Sequence, residues 1–297
     1  MPHISDSPNI DKLAIITVVY QNYEVLKDFF SSFNNQTNKN LHIFISDLSD
    51  SKKPINSINL PFSVFQLPNK GYAHGVNLGI QQAIKLGYDK FCVMNSDTIV
   101  DNNFISSALL SINHYPRLPS PTAQAIGGQA LIIISGKIYY APGYEYHKSK
   151  YKKDELGKIF WYAGGDIDWN NVYIKHRGVD EIDHGQFNKF ESTDFITGCL
   201  MIFNKSIIDK VGYWNEDYFL YYEDADYCER AKKQGVNLYY DPSIIIWHKN
   251  AQSTGGSGSK LHQEYQEKNR IKFGLKYAPL KTKLYLLFNY LKKIFSV

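Results

Sequence analysis

The stretch LAIITVVY, residues 13–20, decides the fold. It is a short, almost wholly apolar run that is rich in β-branched side chains. Strands of this composition are buried on both faces, and strands buried on both faces are typical of parallel sheets. The segment therefore predicts the first strand of a parallel sheet in an α/β protein.

The same pattern returns along the first half of the chain, where helical stretches alternate with short strands. We predict a helix over 24–33, strands over 41–46 and 62–67, a helix that follows the glycine-rich stretch 69–79, and a strand that starts at 90 and ends in polar residues. This alternation predicts a mostly parallel, Rossmann-like central sheet that is flanked by helices. Ligands are then expected at the carboxyl ends of its strands.

The second half of the chain is less regular. Strands are predicted over 130–135, 194–204, 236–242 and 244–249, and helices over 207–211 and 219–231. The segment 139–190 is rich in Tyr, Gly and charged residues, which indicates long ordered loops. STGGSGS (253–259) predicts a flexible break. We therefore expect one domain over 1–259 and a basic helical tail over 260–297.

The composition of the chain argues against several classes of protein. The chain has 297 residues, of which 43% are hydrophobic and 21% charged, as in ordinary globular proteins. A net charge of +4 without a basic, aromatic stripe does not indicate a nucleic-acid partner. Three cysteines without a CxxC pair argue against a disulfide scaffold or a zinc site. Residues 1–10 show no signal-peptide core, so a cytoplasmic protein is expected.

The segment VMNSDTIV (93–100) places Asp97 directly after a buried strand. An Asp at the sheet edge can hold a divalent cation that neutralises a diphosphate leaving group. An Asp after a strand is also a common cap or turn residue, so both interpretations stay open. His248 ends another strand and is a candidate second ligand, and mixed oxygen and nitrogen ligation suits Mn²⁺ as well as Mg²⁺.

The glycine-rich stretch NKGYAHGVNLG (69–79) has Gly71, Gly75 and Gly79. Glycines here allow either close approach to a ligand or tight packing of a helix on the sheet. The stretch fits neither GxxxxGK[ST] nor GxGxxG after the first strand. Taken alone, it is best interpreted as a turn.

The segment YFLYYEDADYCERA (218–231) combines acids with aromatic residues. On a helix, Asp226 and Arg230 are four residues apart and are expected to pair on the surface. Glu223 and Asp224 come near the helix N-terminus, where the helix dipole favours an ionised carboxylate. A charged carboxylate beside aromatic side chains is a candidate general base.

The order of these motifs resembles the bacterial inverting glycosyltransferases of family 2, and in particular their rhamnosyltransferase-like branch, which builds surface polysaccharides. The resemblance runs from about residue 12 to about 275. It depends on strand-end Asp47 and Asp97, TGCLMIF (197–203), EDxDxxxR (223–230) and YYDPSIIIWH (239–248) followed by Ser253, and WYAGG (161–165) and DHGQF (183–187) fit the same branch. It implies the GT-A fold, with a nucleotide-sugar-binding half (about 12–100) joined to an acceptor-binding half (about 101–259).

The resemblance also implies the residues of the donor site. Asp97 matches the metal-binding acid of the family's DxD motif, Asn95 replaces the first acid, and His248 gains importance as a ligand of Mn²⁺ or Mg²⁺. Asp47 is expected to read the pyrimidine edge. The remaining residues expected to line the donor site are Thr17, Val19, Tyr20, Asn69, Gly71 and Ser96.

The implied reaction is a single in-line displacement with inversion. Asp224 takes the proton of the acceptor hydroxyl, and Glu223 orients that base or binds acceptor hydroxyls. The residues expected to contact the acceptor are Gly198, Trp214, Tyr221 and Tyr222. The implied donor is dTDP-rhamnose or a UDP-hexose, and the implied acceptor is a lipid-linked glycan.

The tail has an apolar stripe at helical spacing that lysines flank. The stripe consists of Leu280, Leu284, Leu287, Phe288, Leu291 and Phe295. Two interpretations stay open: a C-terminal helix packed on the domain, or an amphipathic helix on the inner surface of a membrane. The second suits an enzyme whose acceptor is carried on a lipid.

Two other functions compete with transfer. A sugar-nucleotide nucleotidyltransferase needs a Gly- and Arg-rich loop after the first strand, and TVVYQNYEVL (17–26) lacks one. A catalytically inactive, carbohydrate-binding relative is the second alternative. The presence of Asp97, Asp224 and His248 argues against it.

Overall fold

The computed structural model describes residues 11–55, 59–114, 130–250 and 260–295. The predicted leader, the break at 253–259 and Ser253 therefore lie outside the described residues, as do the side chains of Lys293 and Phe295. Within those ranges the strands are β1 (Leu13–Val19), β2 (Leu41–Asp47), β3 (Phe62–Gln66), β4 (Lys90–Met94), β5 (Thr98–Val100), β6 (Ile132–Tyr140), β7 (Phe160–Tyr162), β8 (Gly165–Asp168), β9 (Tyr173–His176), β10 (Glu191–Ser192), β11 (Leu200–Asn204) and β12 (Asn237–His248). The helices are α1 (Val25–Asn34), α2 (Tyr72–Lys85), α3 (Phe104–His114), α4 (Lys205–Val211), α5 (Glu223–Lys233), α6 (Lys260–Tyr277) and α7 (Leu280–Phe295).

One large sheet forms the centre of the molecule. Its strand order is β10-β12-β6-β11-β4-β1-β2-β3, and β5 and β7 pair at the side with β12 and β6. β1 is buried along its length and runs parallel to β2 and β4. The sequence prediction of a mostly parallel sheet flanked by helices is thus confirmed.

β11 is the reversed strand inside this sheet. It runs antiparallel to both β4 and β6, with Leu200 opposite Met94. An antiparallel neighbour begins where the strand beside it ends. The residues before β11, including Gly198, therefore lie next to those that follow β4, and the Asn95 amide donates to the Cys199 carbonyl at 3.3 Å. This pairing joins the two halves of the chain in one sheet.

Two predictions for the second half need correction. The strands expected over 236–242 and 244–249 are one strand, β12, whose register against β6 shifts between Asp241 and Ile245. Pro242, which has no backbone N–H to give to a ladder, lies at this irregularity. The loops expected over 139–190 also contain β7, β8 and β9, and β8 pairs with β9 in a separate two-stranded sheet.

The helix expected over 219–231 begins later, at Glu223. Tyr221 and Tyr222 have φ values of 67° and 69°, which no right-handed helix contains. Each such residue costs roughly 1–3 kcal/mol unless its surroundings hold it. Part of that support comes from the Tyr222 hydroxyl, which donates to the Val172 carbonyl at 2.9 Å.

Asp226 differs from the prediction of a surface pair. It does accept a hydrogen bond from Arg230 at 2.9 Å, but its side chain is fully buried. Lys276 Nζ and the Tyr277 hydroxyl, both from α6, donate to its other oxygen at 2.7 Å and 2.8 Å. A buried carboxylate is tolerated only when it is well paired, so this cluster attaches the tail to α5.

The tail is a helical hairpin whose second helix turns its apolar stripe outward. α7 packs on α6 through Thr282 and Leu286, and Leu286 fills the space beside Gly274. Five residues of the predicted stripe, Leu280, Leu284, Leu287, Phe288 and Leu291, are between 42% and 72% exposed. The stripe is therefore not the face through which α7 packs. Within the described residues, no helix has the length and apolar character needed to cross a membrane.

All three cysteines, Cys92, Cys199 and Cys228, are buried and free of disulfides. Burial raises the pKa of each thiol above its ordinary value. The thiols are therefore neither accessible nor ionised at neutral pH.

Candidate active site

Asp97 and His248 meet at one edge of the sheet because of strand register. β5 pairs antiparallel with β12, and Thr98 lies opposite His248. Asp97, one residue earlier, is thereby held next to the imidazole, and its Oδ1 lies 3.2 Å from Nε2. Both side chains are almost completely buried.

The protonation of His248 follows from these neighbours. Burial disfavours the charged imidazole, but Cys199 and Asp97 outweigh burial and raise the pKa of His248 well above its ordinary value. Because burial keeps the Cys199 thiol neutral, the contact with Asp97 is the part of this rise that remains at neutral pH. Asp97 and His248 thus form a buried, closely spaced pair, and the imidazole would have to give up its proton before it could bind a cation.

A chain of polar contacts runs from this pair to Asp224. Asn95 Nδ2 lies 3.5 Å from His248 Nε2, and Asn95 Oδ1 accepts a hydrogen bond from the Tyr72 hydroxyl at 3.2 Å. That hydroxyl also lies 3.1 Å from the Gly198 carbonyl oxygen. The Gly198 amide in turn donates to Asp224 Oδ2 at 2.9 Å. Asp97, His248 and Asp224, which are distant in sequence, thus belong to one network.

Asp224 occupies the first turn of α5 and is half-buried. Its Oδ1 accepts from the Ala225 amide at 2.8 Å, and its Oδ2 accepts from Gly198. Burial raises the pKa of Asp224, and the N–H groups of Gly198 and Ala225 partly offset that rise. The arrangement fixes the carboxylate in one orientation while part of it stays open to solvent.

Glu223 is buried more deeply than Asp224. Burial first, and the charge of Asp224 second, raise the pKa of Glu223 well above its ordinary value. Its Oε2 is buried and has no hydrogen-bond partner among the described residues. Two adjacent carboxyls of this kind do not both ionise readily, and burial disfavours the charged form of Glu223 more than that of Asp224.

The Asp97–His248 pair is a candidate for part of a metal site. Among the described residues, no group of three or more His, Cys, Asp or Glu side chains is arranged to hold a metal ion. One carboxylate and one imidazole are nevertheless ligands that Mn²⁺ accepts, and Mg²⁺ is often held by one or two carboxylates together with substrate phosphates. The pair fits a cation that a diphosphate helps to hold.

Several residues that are expected to line the donor site are buried and closed to solvent. Thr17 and Val19 are fully buried in β1. Asp47 is fully buried as well, and its carboxylate accepts hydrogen bonds from the Tyr23 hydroxyl at 2.8 Å and the Ser49 amide at 3.0 Å. Tyr20 is half-buried and packs against the core.

A cavity of about 310 Å³ opens beside these residues at the carboxyl ends of β2 and β3. Ser49, Lys52, Gln66 and Asn69 are among the residues that line it. A larger cavity of about 360 Å³ lies between α1 and β5, and none of the predicted site residues lines it. The smaller cavity is the one at the sheet edge where ligands of α/β proteins bind.

Gly71 contacts protein backbone rather than open space. It has φ 101°, and a Cβ atom there would lie 2.5 Å from the Phe219 carbonyl oxygen. The next amide, that of Tyr72, donates to the same oxygen at 3.0 Å. Asn69 Oδ1 accepts from the Gly71 amide at 3.0 Å. The glycine-rich stretch thus fixes the segment before α5, in addition to any contact with a donor.

The aromatic residues expected to contact the acceptor differ in exposure. Trp214 is buried and stacks on Tyr227, with ring centroids 5.3 Å apart, and its edge lies against the Gly198 backbone. Tyr222 is buried with its hydroxyl on Val172. Tyr221 is half-buried. Gly198 and Ser96 are buried in the same region, so Tyr221 is the partly open member of the aromatic group.

Sequence reasoning missed three residues that shape this site. The Tyr72 hydroxyl links Asn95 to Gly198. Asn77 holds the Trp214 backbone, accepting from its amide and donating to its carbonyl, both at 2.9 Å. Asn269 donates to two carbonyls just before α5. Tyr72 and Asn77 both stand inside the glycine-rich stretch 69–79, whereas no local pattern marks Asn269.

Comparison with known proteins gives relatives whose names describe the synthesis of glycans. The chain is 22% identical over 230 residues to the low-salt glycan biosynthesis hexosyltransferase Agl10 of Haloferax volcanii, covering 77% of this chain and 64% of the relative. It is 23% identical over 289 residues to the poly-beta-1,6-N-acetyl-D-glucosamine synthase of Staphylococcus aureus strain COL, covering 94% and 61%. The chain thus spans less than two-thirds of the length of either relative.

A solved structure has the same fold. The crystal structure of GalNAc-T7 with UDP, GalNAc and Mn²⁺ superimposes with a TM-score of 0.64 at 14% identity, covering 94% of this chain and 50% of that one. The family model for glycosyl transferase family 2 matches residues 14–212, which is more than half of the chain and ends before Asp224. The fold is GT-A, and the chain belongs to glycosyltransferase family 2.

Proposed function

We propose that the protein transfers a sugar from a nucleoside-diphosphate donor to a glycan acceptor, with inversion at the anomeric carbon. The observation that carries this proposal is the polar network from Asp97 and His248 through Tyr72 and Gly198 to Asp224. It links a candidate site for a diphosphate-bound cation to a fixed, partly open carboxylate at one sheet edge.

In the proposed reaction Asp224 accepts the proton of an acceptor hydroxyl. The acceptor oxygen forms a bond to the anomeric carbon while the bond from that carbon to the diphosphate oxygen breaks. A general base of this kind contributes about 10²- to 10⁴-fold to the rate. Glu223, whose pKa is raised by burial and by Asp224, is suited to donate a hydrogen bond to a sugar oxygen when it is protonated.

Asp97 and His248 would hold the divalent cation, Mn²⁺ or Mg²⁺. Such an ion supplies charge neutralisation for a leaving diphosphate. Asn95 lies beside the imidazole, with its amide nitrogen 3.5 Å from His248 Nε2. Glycoside hydrolysis, by contrast, uses two carboxyls that flank the scissile bond, one of which protonates the leaving group.

The donor class is proposed as dTDP-rhamnose or a UDP-hexose, and the product as part of a surface polysaccharide such as O-antigen or capsule. The rhamnosyl assignment is supported by the motif order in the sequence, and the hexosyl alternative by the hexosyltransferase among the relatives. The cavity at the ends of β2 and β3 is proposed to receive the base.

We also propose a lipid-linked acceptor and binding of α7 to the cytoplasmic face of a membrane. The apolar stripe on α7 is exposed, and the tail has no acid after Glu267. Exposed Lys281 and Lys292 belong to the same helix. An amphipathic helix with exposed leucines and lysines is suited to an anionic bilayer surface.

A screen of nucleotide sugars by melting temperature tests the proposed function. A ligand that binds only the folded protein stabilises it, by about 2.7 kcal/mol at one hundred times its Kd. We expect a dTDP- or UDP-sugar to raise the melting temperature, and more so with Mn²⁺ or Mg²⁺. Release of nucleoside diphosphate from that sugar then separates an enzyme from an inactive relative. No shift with any nucleotide sugar would overturn the proposal.

A further inference from the structure

The segment between Phe219 and Tyr222 places the two carboxyls of the candidate active site. It enters α5 through two consecutive left-handed residues, Tyr221 and Tyr222, and Glu223 and Asp224 follow immediately. A backbone path of this kind is not maintained by local preference in non-glycine residues. Contacts from elsewhere in the chain must hold it.

Asn269, on α6, makes the contacts that fit this requirement. Its Nδ2 donates to the Leu220 carbonyl at 2.8 Å and to the Tyr221 carbonyl at 3.0 Å. Its side chain is 2% exposed. An amide nitrogen has two hydrogens, so one side chain can satisfy both carbonyls at once. Without it, two carbonyls beside a strained turn would lose their partner in a partly buried place.

Aromatic contacts from the same helix support the assignment. Tyr265 stacks on Phe219 with ring centroids 5.2 Å apart, and His262 meets the ring of Tyr221 edge-on at 4.9 Å. On the opposite side, the Tyr72 amide donates to the Phe219 carbonyl at 3.0 Å. The segment is therefore held from α2 on one side and from α6 on the other.

We infer that Asn269 is a positioning residue of the active site: by binding the Leu220 and Tyr221 carbonyls it sets where Asp224 stands. The inference rests on the proposed function for its catalytic meaning. Whether Asn269 holds the turn at 219–222 in place does not depend on that function. α6 is thus part of the machinery for transfer, although it lies beyond the segment that the family model matches.

The test compares Asn269→Leu with Asn289→Leu. Leucine is similar in size to asparagine and lacks the two donors, and Asn289 on α7 is exposed, which makes it a matched control. A misplacement of about 1 Å can cost about 10²-fold in rate. We expect kcat of Asn269→Leu to fall at least tenfold, with the affinity for the donor nucleotide within twofold of the control.

Hydrogen exchange gives a readout that does not depend on activity. We expect faster exchange of the amides of 219–226 in Asn269→Leu and unchanged exchange in β1 and β4. If the leucine variant does not fold, Asn269→Asp takes its place, because it replaces the amide donor by an acceptor. The same changes in kcat and in hydrogen exchange are expected. An unchanged kcat, or unchanged exchange at 219–226, overturns the inference. So does a loss of kcat and nucleotide affinity together with faster exchange throughout the molecule.

The two proposals fail in different ways. Wild-type protein that turns over no nucleotide sugar contradicts the proposed function, while the exchange measurement still tests the turn. Active wild-type protein together with a fully active Asn269→Leu variant contradicts the positioning role alone.

Discussion

Asp97 Oδ1 and His248 Nε2 lie 3.2 Å apart because Thr98 and His248 are opposite each other in two antiparallel strands. The contact thus depends on the register of β5 against β12, which fixes it more firmly than two loops could. Removal of either side chain would leave its buried partner unpaired, so variants at this pair should be compared for stability as well as for binding.

Asp97→Ala should weaken Mn²⁺-dependent binding of the donor nucleotide by at least about tenfold, since even outer-shell partners of metal ligands contribute roughly 10- to 100-fold. Isothermal titration with and without Mn²⁺ measures this. Asp89→Ala is the matched control, because Asp89 precedes β4 at the opposite sheet edge and its side chain is 42% exposed. Equal Mn²⁺-dependent affinities for the two variants would contradict the ligand role.

Asp224→Asn should lower turnover by about 10²-fold or more while leaving donor affinity unchanged, because an amide cannot accept the acceptor's proton. The asparagine can still accept the hydrogen bond from Gly198, so the local structure should persist. Asp217→Asn, at a side chain that is 78% exposed, controls for the loss of a carboxylate nearby. If Asp224→Asn works at the wild-type rate, another group is the base.

Glu223 should make stability depend on pH. Its folded-state pKa is raised by burial and by Asp224, so the folded state binds a proton that the unfolded state has released above about pH 4.3. The free energy of unfolding therefore falls as pH rises from there to the raised pKa. Glu223→Gln should reduce this fall, although the raised pKa of Asp224 contributes to it as well, and urea denaturation across that range measures the difference.

The control for that measurement is Glu264→Gln, which changes a carboxyl on the surface of α6 whose side chain is 62% exposed. Its stability should follow the wild-type pH dependence. A Glu223→Gln variant that shows the same pH dependence as wild type would mean that this carboxyl ionises without cost in the fold.

Gly71→Ala should destabilise the protein more than Gly212→Ala. Both glycines have backbone angles that only glycine adopts readily, φ 101° and ψ 167° at Gly71 and φ 84° and ψ −169° at Gly212. Each substitution should cost roughly 1–3 kcal/mol for that reason. At Gly71 the new Cβ also meets the Phe219 backbone, whereas nothing lies within 4 Å at Gly212.

Thermal and urea unfolding of the two alanine variants give the comparison. The stability lost in Gly71→Ala beyond that lost in Gly212→Ala measures how closely α2 approaches the segment before α5. Equal losses would mean that this segment moves away easily and that Gly71 does not fix it.

Replacement of Leu284 and Phe288 by Asn should weaken binding to phosphatidylglycerol vesicles at least about tenfold, because burial of one such side chain is worth roughly 1.5–3 kcal/mol. Cosedimentation measures the partition. The double variant Leu86→Asn and Leu110→Asn, at exposed apolar residues of the globular part, is the control. Undiminished binding, or equal binding to neutral phosphatidylcholine, would remove α7 from the proposed membrane contact.

The sequence alone was sufficient to predict the central sheet and the edge of that sheet at which the candidate site lies. β1 and β4 are buried on both faces, so their composition directly reflects their surroundings. Asp97 follows β4 and His248 ends β12, and strand ends can be located from apolar runs. These features depend on burial patterns that each short segment carries by itself.

The parts that could not be predicted depend on contacts between distant segments. The reversal of β11, the left-handed Tyr221 and Tyr222, and the hydrogen bonds of Asn269 have no local signature. Likewise, periodicity identified the stripe on α7 but not the side of the helix that packs, because Thr282 and Leu286 face α6 instead. Tertiary packing, rather than propensity, decides such cases.

The burial of Cys92, Cys199 and Cys228 has a practical use. Native protein should react slowly with maleimides at these thiols, so a cysteine introduced at an exposed residue of α7 would take up a fluorophore selectively. An environment-sensitive dye at that place would report, by its emission wavelength, when the helix leaves water for lipid.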